Sequence, residues 1–511
     1  MKRILLLPLL LLCCSVIAQN KNLDVVATDA GKVSGLTNQA GDVRIYKGIP
    51  FAAPPVGDLR WKEPQPVKPW EDVKKCTDFA ASPMQSKPDP FGVYTREFLI
   101  PYEPISEDCL YLNVWTAAKT PSEKRPVLVY IYGGGFVSGG AGVPIYDGEA
   151  MAKKGIIFVV INYRVGIFGF FAHPELTRES PHNASGNYGL MDQLAALTWV
   201  KKNIAAFGGD PDKVTIAGQS AGSMSVNCLV ASPLGKGLFR GAIAESGASF
   251  ISQQGSGGLR EAEAAGVKTA TALGASTIAE LRSKPAAQLL GKGQSRPVID
   301  GYVLPATIAD IFNEHKQNDV PVLTGWNEDD AFVGPPKTAE EYKKMIKSQY
   351  GADADAFSKL YPAGSDQEAA TSQTRINRDQ IFGMQNYTWA NVQSKKAKSK
   401  IYVYRFTRRL PATADFVKYG AFHTGEVAYA YDNLKFLNRP WEPVDQQLAN
   451  TMSTYWANFV KTGNPNGKGV PAWPAYTTSD HKIMILGEKP GAKPLPDKTA
   501  LDFMVKKANG K

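Results

Sequence analysis

The stretch Val214-Thr215-Ile216-Ala217-Gly218-Gln219-Ser220-Ala221-Gly222 limits more sharply than any other what this chain can fold into. A β-branched run leads into it, and the residues after it, Ser223 to Val230, suit a helix. The reading is strand, sharp turn, helix. A G-x-S-x-G turn in that setting holds a serine on strained backbone, with its oxygen projecting above a sheet. Gly218 and Gly222 have no Cβ to collide where strand and helix pass closely, and the helix points its positive end at the serine. Ser220 is therefore a candidate nucleophile. The five residues alone recur by chance in about one protein in ten of this length, so their surroundings must carry the argument.

Those surroundings are a series of apolar runs of strand length: Leu110 to Trp115, Val127 to Tyr132, Ile156 to Asn162, Val214 to Ala217, Ala242 to Glu245, Val320 to Gly325 and Ile401 to Phe406. Continuous apolarity implies burial on both faces, which predicts an α/β fold with a large, mostly parallel central sheet and helices on both faces. Leu190, Leu194, Leu197, Val200 and Ile204 recur at helical spacing, with Asp192 early and Lys201 and Lys202 late, as a helix dipole favours. Leu259 to Leu290 and Glu340 to Leu360 read as helical insertions over the carboxyl edge of the sheet, where open α/β sheets bind their ligands. The alternating residues from Leu23 to Ala53 predict a small antiparallel β entry, and Cys76 to Glu107 a long ordered loop. No internal repeat interrupts the rhythm, so residues 19–511 are read as one domain.

Met1 to Ala18 opens with Lys2 and Arg3, runs apolar from Ile4 to Leu12 and ends Ser15-Val16-Ile17-Ala18. That is the pattern of a secretory signal peptide cleaved after Ala18, too short to span a bilayer, and it predicts a periplasmic or secreted protein. A lipid anchor on Cys13 or Cys14 is the rival reading, disfavoured because neither follows the small residues such signals carry. No later stretch is long and apolar enough for a transmembrane helix. Loss of the leader takes the net charge from +10 to +8. The basic residues are scattered and no groove of interleaved aromatics accompanies them, so a solvated basic surface is expected and not a nucleic-acid site. Removal of the leader also leaves three cysteines, Cys76, Cys109 and Cys228. Export permits a disulfide, and Cys76 with Cys109 would close a loop of about 33 residues, worth roughly 3 to 4 kcal/mol by chain entropy. Cys228, in the helix after Ser220, is expected to be buried and free. No paired spacing suggests zinc, and no other metal or cofactor is implied.

Acyl transfer through a serine needs a base, and histidine suits that role near neutral pH. Where the serine sits on a strand–helix turn, the order along the chain is serine, acid, histidine. That order removes His173 and His182, and His315 leaves little room for an intervening acid. His423, at loop distance after a strand, fits best, with His481 in reserve. The acid is sought in Thr324-Gly325-Trp326-Asn327-Glu328-Asp329-Asp330, which offers three consecutive carboxylates after a strand. An oxyanion needs preformed donors, each worth about 3 to 4 kcal/mol. The N–H of Ala221 is one candidate, and the glycine run Gly133-Gly134-Gly135 before Phe136 supplies the others. A phosphate cradle is the rival reading of that run, but it lacks the spaced glycines and the lysine of such loops.

Two further segments, Glu107-Asp108-Cys109-Leu110-Tyr111-Leu112-Asn113-Val114 and Phe207-Gly208-Gly209-Asp210-Pro211 leading to Gly218-Gln219-Ser220-Ala221-Gly222, complete a resemblance. From about Val33 to about Gly487 the chain resembles the type-B carboxylesterases, the cholinesterase-like branch of the α/β-hydrolases. The resemblance implies an α/β-hydrolase fold with helical insertions over the active site. It implies Ser220 as nucleophile, His423 as base and Gly134, Gly135 and Ala221 as oxyanion hole. Its acid falls at Asp330, where the family usually has Glu, and Glu328 and Asp329 stay open beside it. In relatives of the cholinesterase kind the cysteine matching Cys109 bonds to one near the position of Met84, whereas here Cys76 lies earlier. A choline ester is not the expected substrate, because no tryptophan lies between Cys76 and Cys109 and Gln219 replaces the usual Glu. The expected activity is hydrolysis of a small-molecule carboxylic ester, short-acyl or aryl, through an acyl-enzyme. The alternative is a non-catalytic adhesion protein of the same family. The side chains near Phe91, Tyr94, Phe98, Phe136, Phe250 and Phe332 are expected to shape the pockets.

Overall fold

The computed structural model of the protein describes residues 24–251, 258–332, 334–413 and 415–510. The expected leader, with Cys13 and Cys14, lies outside the described residues. Among those described, eleven strands form one sheet. In chain order they are β1 (Leu36–Thr37), β2 (Arg44–Pro50), β3 (Tyr111–Thr116), β4 (Arg125–Ile131), β5 (Ile157–Ile161), β6 (Gly209–Gln219), β7 (Gly241–Glu245), β8 (Val322–Asn327), β9 (Ile401–Phe406), β10 (Lys482–Leu486) and β11 (Gly491–Pro494). Across the sheet the order is β11-β10-β9-β8-β7-β6-β4-β5-β3-β2-β1.

Every residue of β5, β7, β8 and β9 is buried. Successive side chains on a strand point to opposite faces, so both faces of the sheet are covered. The pairings from β5 through β4, β6, β7, β8 and β9 to β10 are all parallel. β3 runs the other way, antiparallel to both β5 and β2. The entry is antiparallel as expected, with Val25–Ala27 beside Lys32–Ser34 and β1 beside β2.

The longer helices are α1 (Tyr188–Asn203), α2 (Ala221–Ala231), α3 (Leu259–Ala272), α4 (Ala339–Tyr350), α5 (Asp366–Arg378), α6 (Met384–Lys396), α7 (Pro443–Thr462) and α8 (Lys498–Ala508). Gly218 on β6 faces α2, because a Cβ there would lie 2.5 Å from Gly222 of that helix. The neighbouring residue Gln219 pairs in register with Glu245 of β7, whose carboxylate takes the indole N–H of Trp456 on α7 at 2.8 Å. Thus α2 and α7 cover opposite faces at the centre of the sheet. Among the described residues, α4, α5 and α8 share a smaller core that includes Tyr342, Ile346, Ile376 and Met504. No helix among the described residues is long and apolar enough to cross a membrane.

Asp192 sits early in α1 and Lys201 and Lys202 in its last turn, but the strongest partner of Asp192 is a side chain and not the helix dipole. Asp192 is fully buried and takes a bidentate pair from Arg164, at 2.8 Å from Nε and 2.7 Å from Nη2, which ties the exit of β5 to α1. One expectation is corrected: Cys76 and Cys109 are not bonded, and both are buried free thiols. The carbonyl of Cys76 accepts from Lys47 N near the middle of β2, whereas Leu110 O accepts from Phe51 N just past its end. At about 3.3 Å per residue those points are roughly 10 Å or more apart along the strand, and a disulfide needs Cα atoms within about 7 Å. Cys228 is buried and free, as expected.

Candidate active site

Ser220 stands between β6 and α2 with φ +59° and ψ −123°, a conformation that costs a non-glycine residue energy. Its surroundings hold it there. Ser220 N donates to Glu245 O at 2.8 Å, and Ser220 O accepts from Met224 N at 2.9 Å. A Cβ on Gly222 would overlap the carbonyl of Ile131 at the end of β4. The turn is tight because these two glycines let α2 close on β4 and β6.

The glycine run follows β4 directly. A Cβ on Gly133 would lie 2.7 Å from Gln219 O and 2.9 Å from Ser220 Cβ, so this loop passes against the serine. Gly134 and Gly135 have φ of +109° and +63°, and Phe136 follows at +64°. Among the described residues no acceptor meets the N–H of Gly134 or Gly135. Ala221 is the first residue of α2, where helical geometry leaves the N–H without an internal partner. All three N–H groups are thus left without an acceptor among the described residues.

His423 lies on the loop after β9, joined to the loop after β8. Asn327 Nδ2 donates to Phe422 O at 2.8 Å, and Asp329 N donates to Ala421 O at 3.1 Å. This lacing aligns Asp330 with the imidazole. His423 Nδ1–H donates to Asp330 Oδ1 at 2.6 Å, and both side chains are buried. Asp330 Oδ2 accepts from Ser246 Oγ at 2.6 Å and from Asn327 N at 3.0 Å.

The two neighbouring carboxylates go elsewhere. Glu328 binds Arg378 at 3.0 Å and Arg405 at 2.9 Å. Burial works against its charge, but those two guanidinium groups outweigh burial and hold its carboxyl below the usual range. Asp329 accepts from Ala421 N at 2.8 Å and faces Arg409 at 3.2 Å; burial raises its carboxyl. His481 is remote from the His423–Asp330 pair, bonded at 2.7 Å to Tyr476.

With Nδ1 protonated, His423 Nε2 is an acceptor. Among the described residues it faces the amide Nε2 of Gln219 at 3.1 Å, and the Ser220 hydroxyl makes no hydrogen bond. Phe382 stacks on the imidazole at 4.5 Å between centroids and Phe332 meets it edge-on at 4.8 Å, although Phe332 is 54% exposed. Tyr94 OH donates to His423 O at 2.9 Å, and its ring packs with Phe91, Phe98 and Phe422. Phe136 and Phe250 line a cleft that also touches Met224 on the first turn of α2. Of the six aromatic positions expected to shape the pockets, Tyr94 and Phe332 thus touch His423, Phe136 and Phe250 line the cleft, and Phe91 and Phe98 pack against Tyr94.

Sequence reasoning missed the contact of Gln219 with His423 and the support of Asp330 by Ser246. It also missed two buried carboxyls, one of which feels Asp330. Glu426 takes Asn327 Nδ2 at 2.5 Å, and Glu245 takes Trp456 and Tyr431. Burial pushes the Glu245 carboxyl up to about 8, and burial, then Glu245 and Asp330, raise that of Glu426. A glutamate three residues after the histidine is the one sign the chain offered.

Residues 22–504 match the carboxylesterase family model. The chain is 36% identical to a fumonisin B1 esterase of Sphingopyxis macrogoltabida, over 91% of this chain and 86% of that protein. It is 35% identical to a para-nitrobenzyl esterase of Bacillus subtilis (strain 168), over 90% and 94%. It is 34% identical to liver carboxylesterase 1 of Oryctolagus cuniculus, over 93% and 92%.

Proposed function

The chain belongs to the carboxylesterase family and is a carboxylic ester hydrolase, and we propose that it works through Ser220, His423 and Asp330 by way of an acyl-enzyme. The observation that carries this reading is the 2.6 Å bond between two buried groups, His423 Nδ1 and Asp330 Oδ1, on loops that meet the strained turn of Ser220. Ser220 Oγ attacks the ester carbonyl as His423 Nε2 takes its proton. Asp330 keeps Nδ1 protonated and stabilises the imidazolium. The N–H groups of Gly134, Gly135 and Ala221 receive the oxyanion. His423 then protonates the leaving alcohol, and a water activated by the same nitrogen releases the acid and restores Ser220. In this scheme the Gln219 amide gives up its place at Nε2 to the Ser220 hydroxyl when substrate binds, since catalytic hydrogen bonds often tighten only in the complex.

The substrate is a small-molecule ester with a short acyl or an aryl group. An apolar cleft beside Ser220 and an exposed Phe332 ring against His423 support that, as does likeness to a para-nitrobenzyl esterase. We also propose that the protein is exported, periplasmic or secreted, on the strength of the Met1 to Ala18 pattern. The deciding experiment is pre-steady-state hydrolysis of p-nitrophenyl esters of increasing acyl length by the mature protein, with Ser220→Ala alongside. A burst or steady turnover that vanishes in the variant is expected. Full activity in folded Ser220→Ala would overturn the assignment.

A further inference from the structure

The cleft that Phe136 and Phe250 line follows one face of α2. Met224 and Cys228 both line it, one turn and two turns beyond Ser220, and a spacing of four keeps them on the same side of the helix. Among the described residues, the other walls come from the oxyanion loop, the segment after β7, residues between 296 and 308 and Gln385 of α6, and none comes from the loop that bears His423. A leaving alcohol must sit where His423 Nε2 can protonate it, so this cleft receives the acid half of the ester. Met224 is half-buried, whereas Cys228 is 2% exposed, so the thiol marks the inner end. The surroundings of that end are packed. Phe250 meets Phe312 at 4.9 Å and Trp389 at 6.0 Å between centroids, and Leu304 and Ile308 are buried. The amide of Gln385 is spent on backbone: Oε1 accepts from Phe250 N and Ile251 N, at 2.8 and 3.0 Å, and Nε2 donates to Ile251 O at 2.9 Å. Burial pushes the Cys228 thiol up to about 12, so at neutral pH it is a small uncharged group and no rival nucleophile to Ser220.

At about 1.5 Å of rise per residue, Cys228 lies roughly 12 Å beyond Ser220 along α2. Contact with the thiol takes about 4 Å of that run. The remaining run of about 8 Å holds an extended chain of roughly six carbons, joined by bonds of about 1.5 Å. We propose that the Met224–Cys228 face of α2 is the specificity-determining wall of the acyl site: the chain of the acid lies along it, and the side chain at position 228 limits that chain to about six carbons. This deepens the Ser220 and His423 reading given above and rests on it.

Two ester series test it, one with the chain in the acid and one with the chain in the alcohol. The first is p-nitrophenyl butanoate, hexanoate and octanoate; the second is butyl and octyl acetate, followed by acid release in a pH-stat. Wild type, Cys228→Ala and Cys228→Met are compared on both. In the wild type kcat/KM is expected to hold up to hexanoate and to fall about tenfold at octanoate, since one methylene too many in an apolar pocket costs at least that. The octanoate-to-hexanoate ratio should rise about tenfold in Cys228→Ala, and the hexanoate-to-butanoate ratio should fall about tenfold in Cys228→Met. The octyl-to-butyl ratio of the acetates should not move. Each ratio is taken within one preparation, so a partly folded variant does not disturb it, and Cys228→Ala decides alone if Cys228→Met fails to fold. An unchanged acyl ratio in Cys228→Ala, or a shift in the alcohol series instead, would overturn the proposal. So would a wild type that takes octanoate as readily as hexanoate, or that turns over neither series. Ser220→Ala separates the two ideas: turnover surviving there strikes at the nucleophile assignment, whereas a silent Ser220→Ala beside an unmoved Cys228→Ala ratio strikes at the acyl wall alone.

Discussion

Among single residues, partners and not residue type distinguish the acid of the site. Glu328, Asp329 and Asp330 are consecutive, yet the first is held by Arg378 and Arg405, the second ties down Ala421, and the third meets His423. Asp330→Asn keeps the shape but offers the imidazole an amide, which favours the wrong tautomer; kcat is expected to fall about 10³- to 10⁴-fold with little change in KM. Glu328→Gln leaves two buried guanidinium groups short of charge, so it should lower the melting temperature while the folded enzyme keeps kcat within a few-fold. Steady-state kinetics on both purified variants decides this, and comparable losses in kcat for the two would sink the distinction. Ser220 and His423 are legible in the sequence because a strand, a glycine-flanked serine and chain order identify them locally. The choice among three adjacent acids is not, because Arg378, Arg405 and His423 arrive from about 50 to 90 residues away. The Gln219 contact is equally hidden, being a product of two loops meeting.

At the level of elements, the strand–helix turn depends on two missing side chains. A Cβ on Gly222 would overlap Ile131 O, a backbone atom at the end of β4 that cannot swing aside. Gly222→Ala must therefore push α2 off the sheet, at an expected cost of about 3 kcal/mol or more. Gly334→Ala, with open space around it, should be close to neutral. Thermal unfolding of the pair checks this, and a wild-type melting temperature for Gly222→Ala would refute the packing argument. The same local steric logic makes β4 to β9 readable, since strands buried on both faces write continuous apolar runs. Direction leaves no such mark: β3 is as apolar as its neighbours, but it belongs to the antiparallel entry and pairs with β2. Nor does α6 announce itself, because it buries Gln385, Asn386 and Gln393 along with Tyr387 and Trp389, leaving no clean apolar stripe. The unmade Cys76–Cys109 bond has the same origin, as spacing along the chain says nothing of spacing along β2.

Across the molecule as a whole, the site stands on a buried acidic floor that must respond to pH. Asp330, Glu426 and Glu245 are all fully buried, and Glu426 feels both of the others. Glu245, facing Glu426, Tyr431 and Trp456, has a carboxyl raised by burial to about 8, against about 4.5 for an exposed glutamate. The native state therefore binds this proton more tightly than the unfolded chain does. Stability from this group is fully present below about pH 4.5 and is lost as pH rises through about 8. An amide at this position can still accept from Trp456 through its oxygen and donate to the Tyr431 hydroxyl through its nitrogen, without ever ionising. Glu245→Gln is thus expected to gain on the wild type progressively in melting temperature between pH 5 and pH 9, and to be matched with it at the acid end. Glu426 keeps part of the slope, because its own raised carboxyl survives the change. Should the difference in melting temperature stay constant across that range, Glu245 does not titrate with folding, and the floor of the site would have to be held by a proton shared some other way.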